Sequence, residues 1–243
     1  MPTRQPALRM NQASLNAAAI FQQEWRIYRK MVEGDYLFHR SAYAALRRVL
    51  LEEAPRPFRF LELACGDASV VAVALQGTDI ANYRGVDLSE EALKLACRSL
   101  ARLDCPVSIH HGDFVQMLAE SREPANVIWI GLSLHHLVAA AKLEAMRCAR
   151  GLLSPPGMLL VYENASPDGE DREGWLRRWD LQEPMWTSLT SDEWRRMANH
   201  VRSHDFPETV SRWRELGYGA GFQTVEEVFV APTNLFRLFL FRP

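Results

Sequence analysis

From Phe58 to Glu163 the chain alternates short apolar runs with amphipathic stretches. The runs near 58–63, 82–86, 106–110, 126–131 and 157–163 have the length and composition of buried strands. The stretches between them, near 67–75, 89–103, 114–121 and 136–153, carry apolar residues at helical spacing. This rhythm predicts an α/β fold, a doubly wound parallel sheet with helices on both faces. Right-handed crossovers bring the carboxyl ends of all its strands to one edge. Glu62, Asp87, the Asp113 loop and the 132–136 loop are therefore expected to converge although distant in sequence.

Two helices precede the sheet pattern. Leu15 to Gly34 carries Trp25, Tyr28, Met31 and Val32 at helical spacing and closes at Glu33-Gly34-Asp35. Tyr36 to Glu53 presents Ala42, Tyr43, Leu46, Val49 and Leu50 on one face before Pro55 and Pro57. After Glu163 the alternation stops, and the segment to about 206 holds four of the seven tryptophans, Trp175, Trp179, Trp186 and Trp194. A break this long at the functional edge reads as a helical cap over a substrate. The tryptophans are either its fastening or a substrate platform, and the helical spacing of Trp175 and Trp179 favours fastening. A helix near Glu208–Leu216 and two strand-like runs, Gln223–Val230 and Asn234–Phe241, joined through Ala231-Pro232-Thr233, end the chain as a hairpin. One domain is expected: a helical lid over 1–57, a core over 58–163, the cap over 164–206, and a helix and hairpin over 207–243.

Composition narrows the partners. With 243 residues, 48% of them hydrophobic, the chain suits one large domain with a filled core. A net charge of −2 gives no global attraction to nucleic acid or an anionic membrane. Met1–Met10 lacks the apolar run of a signal peptide, and no apolar stretch approaches the roughly 20 residues of a membrane span, so a cytoplasmic location is expected. Cys65, Cys97, Cys105 and Cys148 have no C-x-x-C spacing and read as reduced thiols, with Cys97 and Cys148 as small hydrophobes in helices. His200 and His204, four apart and followed by Asp205, could share a helix face as metal ligands. No third ligand is evident, so no metal is expected.

The chemistry begins at Leu61-Glu62-Leu63-Ala64-Cys65-Gly66-Asp67-Ala68, where a strand feeds a tight turn, and continues at Gly85-Val86-Asp87-Leu88-Ser89. Asp87 lies 21 positions after Gly66, the spacing at which an acid meets ribose hydroxyls. A dinucleotide turn would ask for three glycines. Here Ala64 and Ala68 flank a single Gly66, and their Cβ atoms narrow the approach that a pyrophosphate needs. A cofactor without phosphates is favoured over a nicotinamide dinucleotide.

The turn resembles the first motif of class I S-adenosylmethionine-dependent methyltransferases in a two-alanine variant. Later landmarks follow in that family's order: Gly85–Ser89, then His111-Gly112-Asp113-Phe114, then Val127–Leu137, then Leu152–Glu163. The resemblance covers 58–163 and resumes weakly over 207–241. It implies a Rossmann-like, mostly parallel sheet of seven strands whose last strand inserts antiparallel beside the fifth. It also implies S-adenosylmethionine as cofactor and S-adenosylhomocysteine as product. By that resemblance the backbone of Ala64, Cys65, Gly66, Asp67 and Ala68 passes beside the methionine portion, with Glu62 beneath orienting the turn or the amino group. Asp87 takes the ribose and Leu88 flanks the adenine. Asp113 and the Phe114 backbone read the adenine edge, and Leu132 lies near the sulfonium. Asp87 and Asp113 have ordinary rival readings as helix caps, although Ser89 serves as a cap better than Asp87. Tyr28, Tyr36, His39 and Arg40 are candidates to cover the cofactor from the lid.

Catalytic candidates are fewer. His135 and His136 stand where the fourth strand meets its helix, and one of the two is expected to face the pocket as a base. Glu163 ends the fifth strand and could hold a substrate amine or hydroxyl, or serve as a loop hydrogen-bond acceptor. Many enzymes of this kind need no base. The expected activity is methyl transfer to oxygen or nitrogen of a small molecule by a monomer or homodimer. The alternatives are a protein or tRNA methyltransferase, and a non-catalytic cofactor-binding regulatory protein.

Overall fold

A computed structural model describes residues 25–243. The part of the first predicted helix before Trp25 lies outside the described residues. Two helices, α1 (Trp25–Glu33) and α2 (His39–Glu52), lead into β1 (Phe58–Leu63), α3 (Ser69–Leu75), β2 (Ile80–Asp87), α4 (Glu90–Leu100), β3 (Val107–His111), α5 (Phe114–Glu120) and β4 (Ala125–Gly131). A 3₁₀ turn, Leu134–His136, precedes α6 (Ala139–Leu152) and the long β5 (Leu153–Ser166). The segment read as a cap forms α7 (Arg172–Asp180), a 3₁₀ turn at Glu183–Met185 and α8 (Ser191–His204). The chain closes with β6 (Glu208–Thr209), α9 (Val210–Gly219), β7 (Thr224–Val230) and β8 (Phe236–Arg242).

The sheet runs β3-β2-β1-β4-β5-β8-β7, with β6 extending the end of β5. The pairs among β1 to β5 are parallel, whereas β8 is antiparallel to β5 and β7 to β8. The fold is Rossmann-like, and its last strand lies beside the fifth as the sequence resemblance implied. Two local readings differ. The two-residue β6 takes the start of the predicted 208–216 helix, and Leu134–His136 forms a separate turn before the helix expected from 136.

Strand alternation divides the core into two halves, one on each sheet face. Phe60, Tyr83, Trp129, Leu160, Tyr162 and Leu238 point to the face covered by α1–α4 and the cap. Leu61, Leu63, Ile128, Ile130, Val161 and Phe239 point to the face covered by α5, α6 and α9. Central strands buried on both sides need continuous apolar runs, which is why β4 reads Val127-Ile128-Trp129-Ile130. Cys97, read as a small hydrophobe, is exposed on α4.

Close packing on the second face leaves a testable mark at Gly217. A methyl group there would come 2.7 Å from the Phe241 ring and 2.8 Å from Val225. Gly217→Ala is expected to destabilise the fold by about 1–3 kcal/mol through overpacking, despite alanine's better helix propensity, as read from the shift in urea midpoint.

The cap is fastened by aromatic contacts. Trp179 packs against Trp175, Trp186 and Trp194 at ring separations of 5.4, 5.0 and 6.2 Å. Trp175 is fully buried and donates its indole N–H to the Leu235 carbonyl at 3.2 Å. The lid joins the cap through a Tyr36–Trp186 stack at 5.0 Å and a Lys30–Glu193 ion pair at 2.7 Å. Among the described residues no helix is long and apolar enough to cross a membrane.

Candidate active site

The carboxyl ends of β1, β2 and β4 open into a cleft enclosing about 1210 Å³, its mouth included. Ala64, Gly66 and Ala68 all adopt left-handed backbone, with φ of 53°, 54° and 51°. The glycine-type conformation of the turn is thus kept at all three positions. Alanine carries it at two of them, at a cost of about 1–2 kcal/mol each. Leu132, at the end of β4, has φ 51°. Strained residues gathered at one edge mark a functional site.

The turn is tied to β2 by its backbone. Cys65 N–H donates to the Val86 carbonyl at 3.0 Å and Gly66 N–H to Asp87 Oδ2 at 2.8 Å. Asp87 Oδ1 accepts from Ser89 N–H at 2.8 Å. A carboxylate offers about four acceptor positions, so Asp87, which lines the cleft, keeps capacity for a further donor. Burial raises the Asp87 pKa against these two backbone donors. The cap of α4 is Ser89, whose Oγ accepts from Ala92 N–H at 3.2 Å. Asp87 is thereby left to the cleft, which Leu88 also lines.

Glu62 lies on the cleft floor, 3% exposed, and accepts a hydrogen bond from the Tyr83 hydroxyl. Burial pushes its pKa well up. Asp67 caps the first turn of α3, accepting from Ser69 N–H at 3.0 Å and from Ser69 Oγ at 2.7 Å. The Cys65 thiol is buried and also pushed up by burial.

Several expected residues stand elsewhere. Asp113 does not line the cleft. Its Oδ1 accepts from Val115 N–H at 2.8 Å and caps α5, while its neighbours Gly112, Phe114 and Val115 do the lining. Arg40 is exposed and pairs with Asp35 at 3.1 Å, away from the cleft. Tyr36 accepts from Ser188 N–H at 2.9 Å and bridges lid to cap. Tyr28 and His39 do line the cleft, with the His39 pKa lowered to about 4 by burial. Tyr43 and Tyr162 also line it. The helical spacing assigned Tyr43 to the core face of α2, and only its polar tip distinguished it from a packing residue.

A second cavity, enclosing about 740 Å³ with its open mouth included, lies between the lid helix α1, the cap helices and the end of β5. Tyr28, Leu132 and His136 line both cavities. His135, Asn164, His200 and Asp205 line the second among apolar neighbours that include Met31, Trp179 and Phe236. Both adjacent histidines therefore face a cavity, where one was expected.

Glu163, a catalytic candidate in the sequence, lines neither cavity. It is fully buried and accepts from Ser133 and Leu134 N–H at 2.5 Å each, from His135 N–H at 3.3 Å and from His135 Nδ1 at 2.7 Å. It is a positioning residue that holds the 3₁₀ turn and fixes the His135 ring. Burial acts to lower the His135 pKa, but Asp205 and Glu163 outweigh it and the net direction is up. Burial drives His136 well down and His200 to about 4, and it raises Asp205 to about 6.

The first cleft's lining includes the carboxylates of Asp67 and Asp87, with Glu62 buried on its floor, but no Lys or Arg among the described residues. A pyrophosphate would find no countercharge there, whereas a cationic cofactor would. Residues 60–157 match the methyltransferase-domain family. The chain carries a methyltransferase domain.

Among curated protein sequences none matches this methyltransferase significantly. Solved structures share its fold at low identity. The DhpI complex with S-adenosylhomocysteine superposes with a TM-score of 0.65 at 15% identity, over 96% of this chain and 98% of that one. A Leishmania major S-adenosylmethionine-dependent methyltransferase gives 0.64 at 17%, over 95% and 82%. A Planctomyces limnophilus O-methyltransferase family 2 protein in complex with apigenin gives 0.58 at 16%, over 89% of this chain. The methyltransferase spans 61% of that last chain, and 57% and 54% of two other structures of this fold. The domain match over residues 60–157, the motif order and the acidic cleft together point to an S-adenosylmethionine-dependent methyltransferase domain in this segment.

Proposed function

We propose that the enzyme methylates an oxygen or nitrogen of a small, largely apolar molecule held beneath the cap. The observation that carries this reading is the second cavity, which meets the acidic cleft at Tyr28, Leu132 and His136. When bound, S-adenosylmethionine supplies an electrophilic methyl group on a sulfonium centre. The chain's own task is then alignment. Asp87 holds the ribose, and the turn from Ala64 to Ala68, above Glu62, cradles the methionine end. Leu88 and Phe114 flank the base, and Tyr28 and His39 close over the cofactor. Leu132 stands at the junction of the two cavities. The substrate's polar atom faces His135, His136 and Asp205, while Trp179, Met31 and Phe236 exclude water from its apolar body.

A cavity enclosed by lid and cap suits a small molecule better than a protein or tRNA. Incubation with methyl-labelled cofactor and three substrate pools tests this: small hydroxylated and amino-bearing aromatics, total tRNA, and soluble protein. Label in the small-molecule pool is expected. Label confined to tRNA or protein contradicts the proposal, and binding without transfer to any pool points to a regulatory protein.

A further inference from the structure

We propose that His135, His136 and Asp205, with His200 alongside, bind a divalent first-row transition metal ion on the wall of the cap cavity. The metal's remaining position would face the cavity and take an oxygen donor of the substrate. Only the identity of that donor rests on the small-molecule reading above; metal binding stands apart from it.

One nitrogen from each of His135 and His136 and one Asp205 oxygen lie within 4.8 Å of one another. Individual separations are close to what a shared ion requires. His136 Nδ1 is 3.6 Å from Asp205 Oδ1, His200 Nε2 is 3.8 Å from the same oxygen, and His135 Nε2 is 3.8 Å from Asp205 Oδ2. These are too long for hydrogen bonds. Ligand atoms placed tetrahedrally about 2.0–2.1 Å from zinc sit roughly 3.3 Å apart, so side-chain rotations that draw the three ligand atoms in from within 4.8 Å of one another would close the site on an ion.

Two of these polar atoms also lack hydrogen-bond partners. His136 Nδ1 and Asp205 Oδ1 are buried without a hydrogen bond, and Asp205 is 3% exposed. Buried polar atoms are normally paired, and an orphaned carboxylate oxygen facing an orphaned imidazole nitrogen is an arrangement that a cation resolves. Two neighbouring cations bond other groups. Arg172 donates to the Asp205 main-chain carbonyl at 2.8 Å and to the Arg202 carbonyl, while Lys142 bonds Glu208 at 2.7 Å and the Phe206 carbonyl.

An outer shell orients the ligands. Glu163 holds His135 Nδ1 at 2.7 Å, which leaves Nε2 toward Asp205, and Asn164 Nδ2 donates to Asp205 Oδ2 at 2.9 Å. A carboxylate behind a ligating histidine is a recurrent support of metal centres. Imidazoles with one carboxylate suit zinc, iron(II) or cobalt(II) rather than calcium or magnesium. At such an ion a coordinated hydroxyl loses its proton more readily, which would prepare an oxygen nucleophile.

The test uses full-length protein stripped with a chelator, dialysed, and titrated with cobalt(II) and then zinc(II). Equimolar cobalt binding with visible d–d absorption, displaced by zinc, is expected. His136→Ala and Asp205→Asn should each weaken binding by more than tenfold with circular dichroism unchanged. His204→Ala, whose ring bonds the His200 carbonyl and stacks on the His200 ring but lies outside the ligand group, should not weaken it. Folded protein that binds no cobalt, or binding that His136→Ala and Asp205→Asn both leave unchanged, overturns the proposal and leaves a bridging water between these groups.

Discussion

Replacing Asp87 by alanine is expected to weaken binding of S-adenosylmethionine and S-adenosylhomocysteine by a hundredfold or more, with the protein still folded. Hydrogen bonds to a charged acceptor contribute about 1.5–3 kcal/mol each, and Asp87, which lines the cleft, is expected to accept from both ribose hydroxyls. The same substitution strips Gly66 N–H of its 2.8 Å acceptor, so the turn that cradles the methionine end loses its tie to β2. Asp87→Asn retains one acceptor and should fall between wild type and alanine. Calorimetric titration beside a thermal melt separates lost binding from lost fold. Unchanged affinity in Asp87→Ala would remove the ribose assignment.

Glu163→Ala should damage the fold more than any surface change. Its carboxylate is fully buried and accepts from three consecutive backbone N–H groups and the His135 ring. Removing one partner of such a buried charged network costs about 3–5 kcal/mol. For a chain of this size that corresponds to a melting-temperature drop of roughly 6–20 °C. Glu163→Gln keeps an oxygen for the backbone donors and should recover most of that loss. The pair of variants distinguishes a positioning residue from a catalytic one. A group that acted on substrate would lose turnover in Glu163→Gln with stability intact and substrate affinity altered.

The sequence made the cofactor half of the site legible because that half follows from local patterns. Strand periodicity located β1 and β2, and the spacing from Gly66 placed Asp87 at a strand end. Ser89, followed by acids, is a cap by its chemistry alone. The structure keeps left-handed backbone at Ala64 and Ala68, so the motif survived the loss of its glycines. Asp113 stays open to both readings in the sequence because an acid opening a helix suits a cap and an adenine contact alike; in the structure its Oδ1 serves as the cap. Arg40 stands outside the cleft lining, and helical spacing does not reveal that Asp35, five residues earlier, pairs with it.

The substrate half was less legible. Asn164 and Asp205 are 41 positions apart and meet only because the cap folds back over β5. No periodicity in either segment encodes that return. His200 and His204, followed by Asp205, form a local group in the sequence, but His135 and His136, which meet Asp205, come from the turn after β4. Tryptophan enrichment announced the cap itself. Trp175 proved to be fastening, while Trp179 both packs the cap and lines its cavity.

The central claim is that the acidic cleft holds a cationic, phosphate-free adenosine cofactor. Calorimetric titration of the purified protein with S-adenosylmethionine, S-adenosylhomocysteine and NAD tests it most directly. Saturable equimolar binding of the first two with no heat from NAD is the predicted result, and binding of NAD alone would contradict the account.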